Sequence, residues 1–266
     1  MAKSEVNWGC ELSDVKISRG SNSSNSFNLT IPSLTLNPTA TGSNKLPIMG
    51  ISGAGKSTLL NLIGAIEWPH SEVGEINWKF PDGVSIKWGR GGPAANDLKL
   101  LRQKYFGFAF QNSTLIPHLN IEENLIYPIQ NSGYSRQHAL SKARDLLGTV
   151  VQDNIDVTLK QYPHQLSGGE KQRVSLIQSL VHDPIVLFAD EPTGSLDVET
   201  RRNVMDVLIK WVDEEPSSRY LIWVTHHADD PQEHNLDRRL SVSSGGCRWE
   251  NWVSKINQWK IEDSDA

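Results

Sequence analysis

The rhythm of apolar and polar positions changes several times along the chain, and each change marks an element. Residues 12–15 (Leu-Ser-Asp-Val) and 27–31 (Phe-Asn-Leu-Thr-Ile) read as short strands, the second by alternation of period two, with a run of turn formers at 18–26 between them. A loop at 37–45, holding Pro38 and Gly42, precedes a short apolar strand at 46–49 and a helix at 57–66. Residues 75–80 and 84–88, split by Pro81-Asp82-Gly83, predict a hairpin, and 105–110 a further strand. From 121 to 147 the pattern is mainly helical, interrupted at Pro128 and at Asn131-Ser132-Gly133. Helix (169–181), strand (185–189), helix (199–213) and strand (220–224) then alternate, which predicts a parallel sheet with helices on its faces. In the tail, Trp249, Trp252, Ile256 and Trp259 recur at helical steps, so residues 248–261 predict one more amphipathic helix.

Composition narrows this picture. The 266 residues carry a formal net charge of -5 with acids and bases interspersed, which argues against a nucleic-acid partner. Cys10 and Cys247 lie far apart and outside any metal-type spacing, as suits a reducing compartment. No run approaches the roughly 18 apolar residues of a membrane span. Residues 1–5 lack the apolar core of a secretory signal. The expectation is a soluble cytoplasmic protein, with any membrane role reached through another chain.

The candidate chemistry is concentrated at strand ends. Gly50-Ile51-Ser52-Gly53-Ala54-Gly55-Lys56-Ser57-Thr58 contains G-x-x-x-x-G-K-[ST] between a strand and a helix. Its glycines let backbone N–H groups turn toward phosphate oxygens, and the following helix aims its positive end at them. Lys56 would neutralise the outer phosphates and the Ser57 hydroxyl would bind Mg²⁺. Chance produces this pattern in roughly one chain of this size in a hundred, so it outweighs an accidental Gly-rich turn. Asp190 and Glu191 end a buried apolar strand, where ligands bind in open α/β sheets. Asp190 would hold the metal and Glu191 would polarise an attacking water; for an isolated Asp-Glu, helix capping is the plainer alternative. Gln111 and His226 each follow a strand, which alone marks only a turn or surface residue. Leu166-Ser167-Gly168-Gly169-Glu170 reads as a capped helix start, a second place where N–H groups could meet an anion. By itself it is also what any well-capped helix looks like.

Together these segments resemble the ATP-binding-cassette (ABC) ATPases, over nearly everything from residue 46 to about 240. Gly50 to Thr58 resembles the Walker A loop and Gln111 the Q-loop glutamine. Ser167, Gly168, Gly169 and Glu170, with Lys171-Gln172-Arg173, resemble the family signature. Residues 186–191 resemble Walker B, Ser195-Leu196-Asp197 the D-loop, and Thr225-His226 the switch histidine. Phe106-Gly107-Phe108-Ala109-Phe110-Gln111, Leu115-Ile116-Pro117-His118, Glu123-Asn124-Leu125 and Ala189-Asp190-Glu191-Pro192-Thr193-Gly194-Ser195-Leu196-Asp197 are similar to the lipoprotein-release and macrolide-export subgroup. The resemblance implies a P-loop fold: a RecA-like parallel sheet, an N-terminal antiparallel β subdomain and an inserted helical subdomain at about 112–168. The cassette would span 1–247, followed by the tail at 248–266.

It further implies ATP and Mg²⁺ as ligands, the latter held by Ser57, Gln111 and Asp190, with Glu191, His226, Lys56 and Gln111 as catalytic residues. Residues 50 and 52–58, with Asp197, would line the nucleotide. A second ATP-binding subunit, a homodimer in the simplest case, would bring Ser167 and Gly169 to the γ-phosphate held by Lys56 of the first. The partner would be a separate membrane permease docked near 112–133, placing the protein on the inner face of the membrane. A regulatory ATPase whose membrane partner moves no substrate is the alternative. The family's adenine-stacking aromatic is missing: Ser18 or Arg19 stands there. Arg19 could stack on the base, Phe27 could replace it, or apolar contacts alone could hold it.

Overall fold

The computed structural model describes residues 8–19, 27–38, 43–68, 74–129, 135–151, 154–194, 196–227, 229–243, 246–253 and 258–262. The chain forms two compact units, residues 1–98 with 222–266, and residues 99–221.

The first unit begins with β1 (Gly9–Arg19) and β2 (Phe27–Leu36), which pair antiparallel. Its two other early strands, β4 (Glu75–Lys79) and β5 (Ser85–Trp88), form the expected hairpin, and the sheet runs β2-β1-β4-β5. Both β1 and β2 are longer than the alternation suggested. Buried positions run Cys10, Leu12, then Val15, Ile17 on β1, and Leu29, Ile31, then Leu34, Leu36 on β2. Each strand thus slips its inward phase by one residue, at Asp14 and Pro32, where the ladder omits a pair. Asp14 has φ 54°, and Pro32, on the edge strand, has no N–H to lose.

The second sheet of this unit starts with β3 (Lys45–Met49), which leads through the glycine loop into α1 (Lys56–Ile63). β3 pairs in parallel with β9 (Arg238–Ser243), through Ile48 opposite Leu240. From β9 the sheet continues antiparallel to β10 (Gly246–Val253) and β11 (Gln258–Ile261). The tail is therefore a hairpin, and the expected amphipathic helix is absent from its described residues. Trp252 stands opposite Trp259, with ring centroids 5.3 Å apart. The Arg238 guanidinium covers Trp249, and that of Arg239 covers Trp259, each at 4.3 Å. Arg239 also pairs with Glu250 across the ladder at 2.7 Å. Four residues at helical steps fitted a stripe, but ladder bonds to β9 and cross-strand aromatic contacts decide the conformation. Ile256 lies outside the described residues.

The division between units falls inside α2 (Ala95–Leu100) and β8 (Tyr220–Val224). The second unit carries β6 (Phe106–Phe110) and β7 (Val186–Asp190), paired in parallel as alternation required. Its helices are α3 (Ile121–Ile126), α4 (Arg136–Leu147), α5 (Ile155–Lys160), α6 (Gly168–Leu180) and α7 (Val198–Glu214). A helical core packs Ile121, Leu125, Ala139, Ala143, Leu147 and Leu159 against Val174, Ile177 and Val181. The helical region is thus present, and its core draws on α6, beyond the expected limit at 168. α3 ends just before Pro128; the expected turn at 131–133 lies outside the described residues. Asn124, wholly buried, bonds the Ile116 N–H and the carbonyls of Ile116, Leu119 and Asn120, fixing the loop that follows Gln111.

α8 (Asp230–Glu233) completes the first unit. No described helix is long and apolar enough to cross a membrane.

Candidate active site

In the first unit the glycine loop is held by backbone geometry. Gly50 has φ 150°, and a Cβ there would lie 2.2 Å from the Val242 carbonyl oxygen of β9. Gly53 and Gly55 lie at φ 76° and 100°, where side chains are costly. Gly55 caps α1 with no side-chain hydrogen bond, so the start of the helix carries no built-in anion mimic. The Lys56 ammonium folds into the loop and donates to the Gly50 and Ile51 carbonyls at 3.0 and 3.1 Å; its residue is 7% exposed. Ser52, Gly53 and Ser57 are exposed, while Ala54 is buried against the loop's base.

His226, exposed, belongs to the same unit and is held on a short chain of bonds. The Thr225 N–H donates to the Ile48 carbonyl on β3, two residues before Gly50. Its hydroxyl donates to the Asp230 carboxylate at 2.5 Å and accepts from the His227 N–H at 3.1 Å. Asp230 is 1% exposed, and a carboxylate so buried must be bonded to be tolerated. The His226 ring lies 4.2 Å from that of His227. Thr225 and Asp230 thus fix the loop bearing His226 to the strand that feeds the glycine loop. The sequence offered no sign of Asp230's part.

Arg19 closes β1 opposite Phe27, the first residue of β2. Both side chains lie outside what the structure describes.

The second unit gathers the other candidates. The parallel register sets Phe110 beside Asp190, so Gln111 and Glu191 leave their strands at one level. Glu191 has φ 46°, a left-handed conformation costing a non-glycine residue about 1 kcal/mol or more. The Gly194 N–H closes the turn on the Glu191 carbonyl at 3.1 Å. The Gln111 amide nitrogen and a Glu191 carboxylate oxygen lie 3.1 and 3.3 Å from where a Gly194 Cβ would sit, so the two side chains converge there. Glycine is what leaves them that room. Asp190 and Gln111 offer oxygen donors of the hard kind that Mg²⁺ accepts, few enough to leave positions for water and phosphate.

The start of α6 is satisfied by its own side chains. Ser167 accepts from the Glu170 N–H at 3.3 Å, and Glu170 accepts from the Ser167 N–H at 2.7 Å, a full capping box. The Ser167 hydrogen bonds, side-chain first, and then Arg173 hold the Glu170 carboxyl below its ordinary range. Glu170 is thus engaged within the helix start, whereas Ser167 and Gly168 face outward and a Cβ on Gly168 would meet open space. A Cβ on Gly169 would come within 3.4 Å of Arg173 and 3.5 Å of Thr200. Asp197 caps α7, accepting from the Glu199 and Thr200 N–H groups and the Thr200 hydroxyl. The Thr200 bonds lower its carboxyl below the usual range. Ser195 lies outside the described residues. Gln172, which the sequence marks only as part of the signature segment, is buried and reaches from α6 to the carbonyls of Phe110 and Pro192, each at 3.0 Å.

A strand–glycine-loop–helix with an inward lysine, and a carboxylate pair ending a parallel strand, define a P-loop nucleotide hydrolase. The ABC transporter family model matches residues 33–194, and the chain belongs to that family. It is an ABC-type ATP hydrolase, similar to ATP-binding proteins of lipoprotein-releasing and macrolide-export systems. The chain is 38% identical over 198 residues to an uncharacterized ABC transporter ATP-binding protein of Mycobacterium tuberculosis, covering 74% of this chain and 73% of that one. It is 37% identical to the lipoprotein-releasing system ATP-binding protein LolD of Aquifex aeolicus, covering 68% and 75%. Among solved structures, the dimeric bacterial ABC transporter cassette MJ0796 superposes with a TM-score of 0.70 at 27% identity, covering 92% of this chain and 99% of that one. Arg19, Asp197 and His226 lie outside the span matched by the family model.

Proposed function

We propose that two copies of this chain close head to tail over two ATP molecules and that their opening and closing drives a separate membrane permease. The observation that carries the reading is the start of α6: Ser167 and Gly168 are exposed, and the helix end is free of steric cover at Gly168. In the closed pair, Ser167 and Gly169 of one copy would meet the γ-phosphate held by Lys56 of the other. Ser57, Asp190 and Gln111 would share Mg²⁺ with phosphate oxygens and water. The bound metal would supply charge neutralisation at the transferring phosphoryl group. Glu191 would accept a proton from the attacking water, and His226 would hold the γ-phosphate side of the site.

ATP then acts as part of the dimer contact. It favours closure only through its different affinity for the closed and open states, and hydrolysis removes the γ-phosphate contacts that make the difference. The dimeric state of MJ0796 and the names of the relatives support this reading. One relative is the ATP-binding protein of a lipoprotein-releasing system. Another, from Shigella flexneri, is a macrolide export ATP-binding/permease protein, 37% identical over 28% of its length.

The test is turnover and dimerisation together. Lys56→Ala should abolish hydrolysis. Glu191→Gln should bind ATP, slow turnover by about 10²-fold or more, and accumulate an ATP-dependent dimer on size exclusion. Normal turnover in Glu191→Gln would remove the base assignment. Co-purification with a membrane chain would identify the partner, and a partner that carries no substrate would turn the reading to a regulatory ATPase.

A further inference from the structure

Gln172 lies on α6, five residues past the Ser167 cap and 7% exposed. Its amide nitrogen donates to two carbonyl oxygens, Phe110 and Pro192, both at 3.0 Å. Two carbonyl acceptors fix the orientation of the amide, because only the NH₂ end has hydrogens to give, one for each. The two carbonyls are not arbitrary. Phe110's belongs to the peptide unit that leads into Gln111. Pro192's lies one residue past Glu191. One side chain of α6 therefore holds the backbone at the entrance to Gln111 and at the exit from Glu191.

That placement bears on Glu191 directly. A non-glycine residue at φ 46° stays there only when its surroundings over-determine it. The Gly194 N–H on the Glu191 carbonyl supplies one constraint and the Gln172 bond to Pro192 a second. The other end of the linkage is held as well, since α6 starts in a capping box and buries Leu176, Ile177 and Leu180.

We propose that Gln172 is a positioning residue that couples the start of α6 to the side chains of Gln111 and Glu191, so that a contact made at Ser167 and Gly169 is transmitted to the hydrolytic carboxylate. This rests on the roles given above to Gln111 and Glu191. Removing the two donors leaves the α6 start and the glycine loop intact but frees both strand exits. A misplacement of about 1 Å at a reacting group can cost on the order of 10²-fold in rate.

The experiment compares Gln172→Met, a near-isosteric side chain without donors, with Val174→Ala, which loosens α6 packing and touches neither carbonyl. Steady-state ATP hydrolysis by the full chain, well below each variant's melting temperature, should show kcat for Gln172→Met down by about 10- to 100-fold with KM within about threefold of wild type. Val174→Ala should keep the wild-type kcat per folded molecule. A Gln172→Met kcat within about twofold of wild type, or a loss matched by Val174→Ala, overturns the proposal.

Gln172→Glu supplies a second measurement should the Met variant fold poorly. Its protonated carboxyl regains one donor, so kcat relative to wild type should rise as pH falls from about 8 to 6, burial having raised the new carboxyl. A flat ratio over that range overturns the coupling. Lys56→Ala and Glu191→Gln run alongside. Normal turnover in Glu191→Gln defeats the underlying site assignment whatever Gln172 does. An impaired Glu191→Gln beside a normal Gln172→Met defeats only the coupling.

Discussion

The two helix starts, α1 after the glycine loop and α6 after Ser167, solve the same problem in opposite ways. A helix N-terminus leaves backbone N–H groups unpaired and carries partial positive charge. At α1 the cap is Gly55 in a left-handed conformation with no side-chain bond, and the residue inside the loop is a lysine. That start contributes little to its own capping and is shaped for a ligand. At α6 a serine and a glutamate bond each other's N–H groups, so the start is stable without any ligand. What remains for a partner there is an open flank at Gly168. The difference teaches that the first start leaves its N–H groups open at a glycine cap, whereas the second satisfies its own and, under the proposal above, acts only when a partner brings a ligand to it.

Substitution at glycine should break the comparison most sharply. Gly50→Ala drives a methyl into the Val242 carbonyl and holds alanine at φ 150°. It should cost on the order of 3 kcal/mol and abolish ATP binding, read by thermal unfolding and by fluorescent-nucleotide titration. Gly168→Ala meets no neighbour and replaces the poorest ordinary helix former. At the first position of the helix it should raise stability by at most about 0.5 kcal/mol while leaving monomer ATP binding unchanged. If ATP-driven dimerisation also falls in the Glu191→Gln background, the open flank is a contact surface; unaltered dimerisation would show that it is not.

The smallest effect concerns the pH dependence of the α6 cap. Glu170's carboxyl is lowered in the fold, chiefly by its Ser167 bonds. A lowered carboxyl contributes stability that is present above its unfolded value, near 4.5, and lost as pH falls through the folded value below that. The melting-temperature advantage of wild type over Glu170→Gln should hold constant above about pH 5 and shrink below 4.5. An advantage unchanged down to pH 3 would remove the charge from the capping box.

Much of this was legible along the chain because it depends on local rules. The glycine loop needs particular residues at fixed spacing, and so does the capped start of α6. Alternation of helix and strand from 169 to 224 predicts a parallel sheet, and the strand at 106–110, outside that run, joins it in parallel register at Phe110 and Asp190. β1 and β2 run longer than their alternation predicts because the inward phase of each slips by one residue, at Asp14 and Pro32, and a single period ends there. The tail was read as a helix although Cys247-Arg248-Trp249-Glu250 also alternates with period two, as a strand would. Steps of three and four fit a helical stripe but set Trp249 and Trp252 on opposite faces of a strand, so the stripe and the short alternating run point to different elements. The ladder to β9 chose between them.

Sequence by itself determined the family, the glycine spacing of the loop and the place of two carboxylates at a strand end, since these rest on residue type and order. Tertiary structure alone decided which partners those residues keep. Asp230 under Thr225 reads as an ordinary surface residue in a one-dimensional pattern, and Asn124 and Gln172 stand there only as letters of family motifs, with no sign of the loop backbone or of the Phe110 and Pro192 carbonyls that they bond. Each is buried, and a buried polar group must find its hydrogen bonds in whatever the fold brings beside it. For Gln172 those partners come from 62 and 20 residues away, a distance no local rule can span.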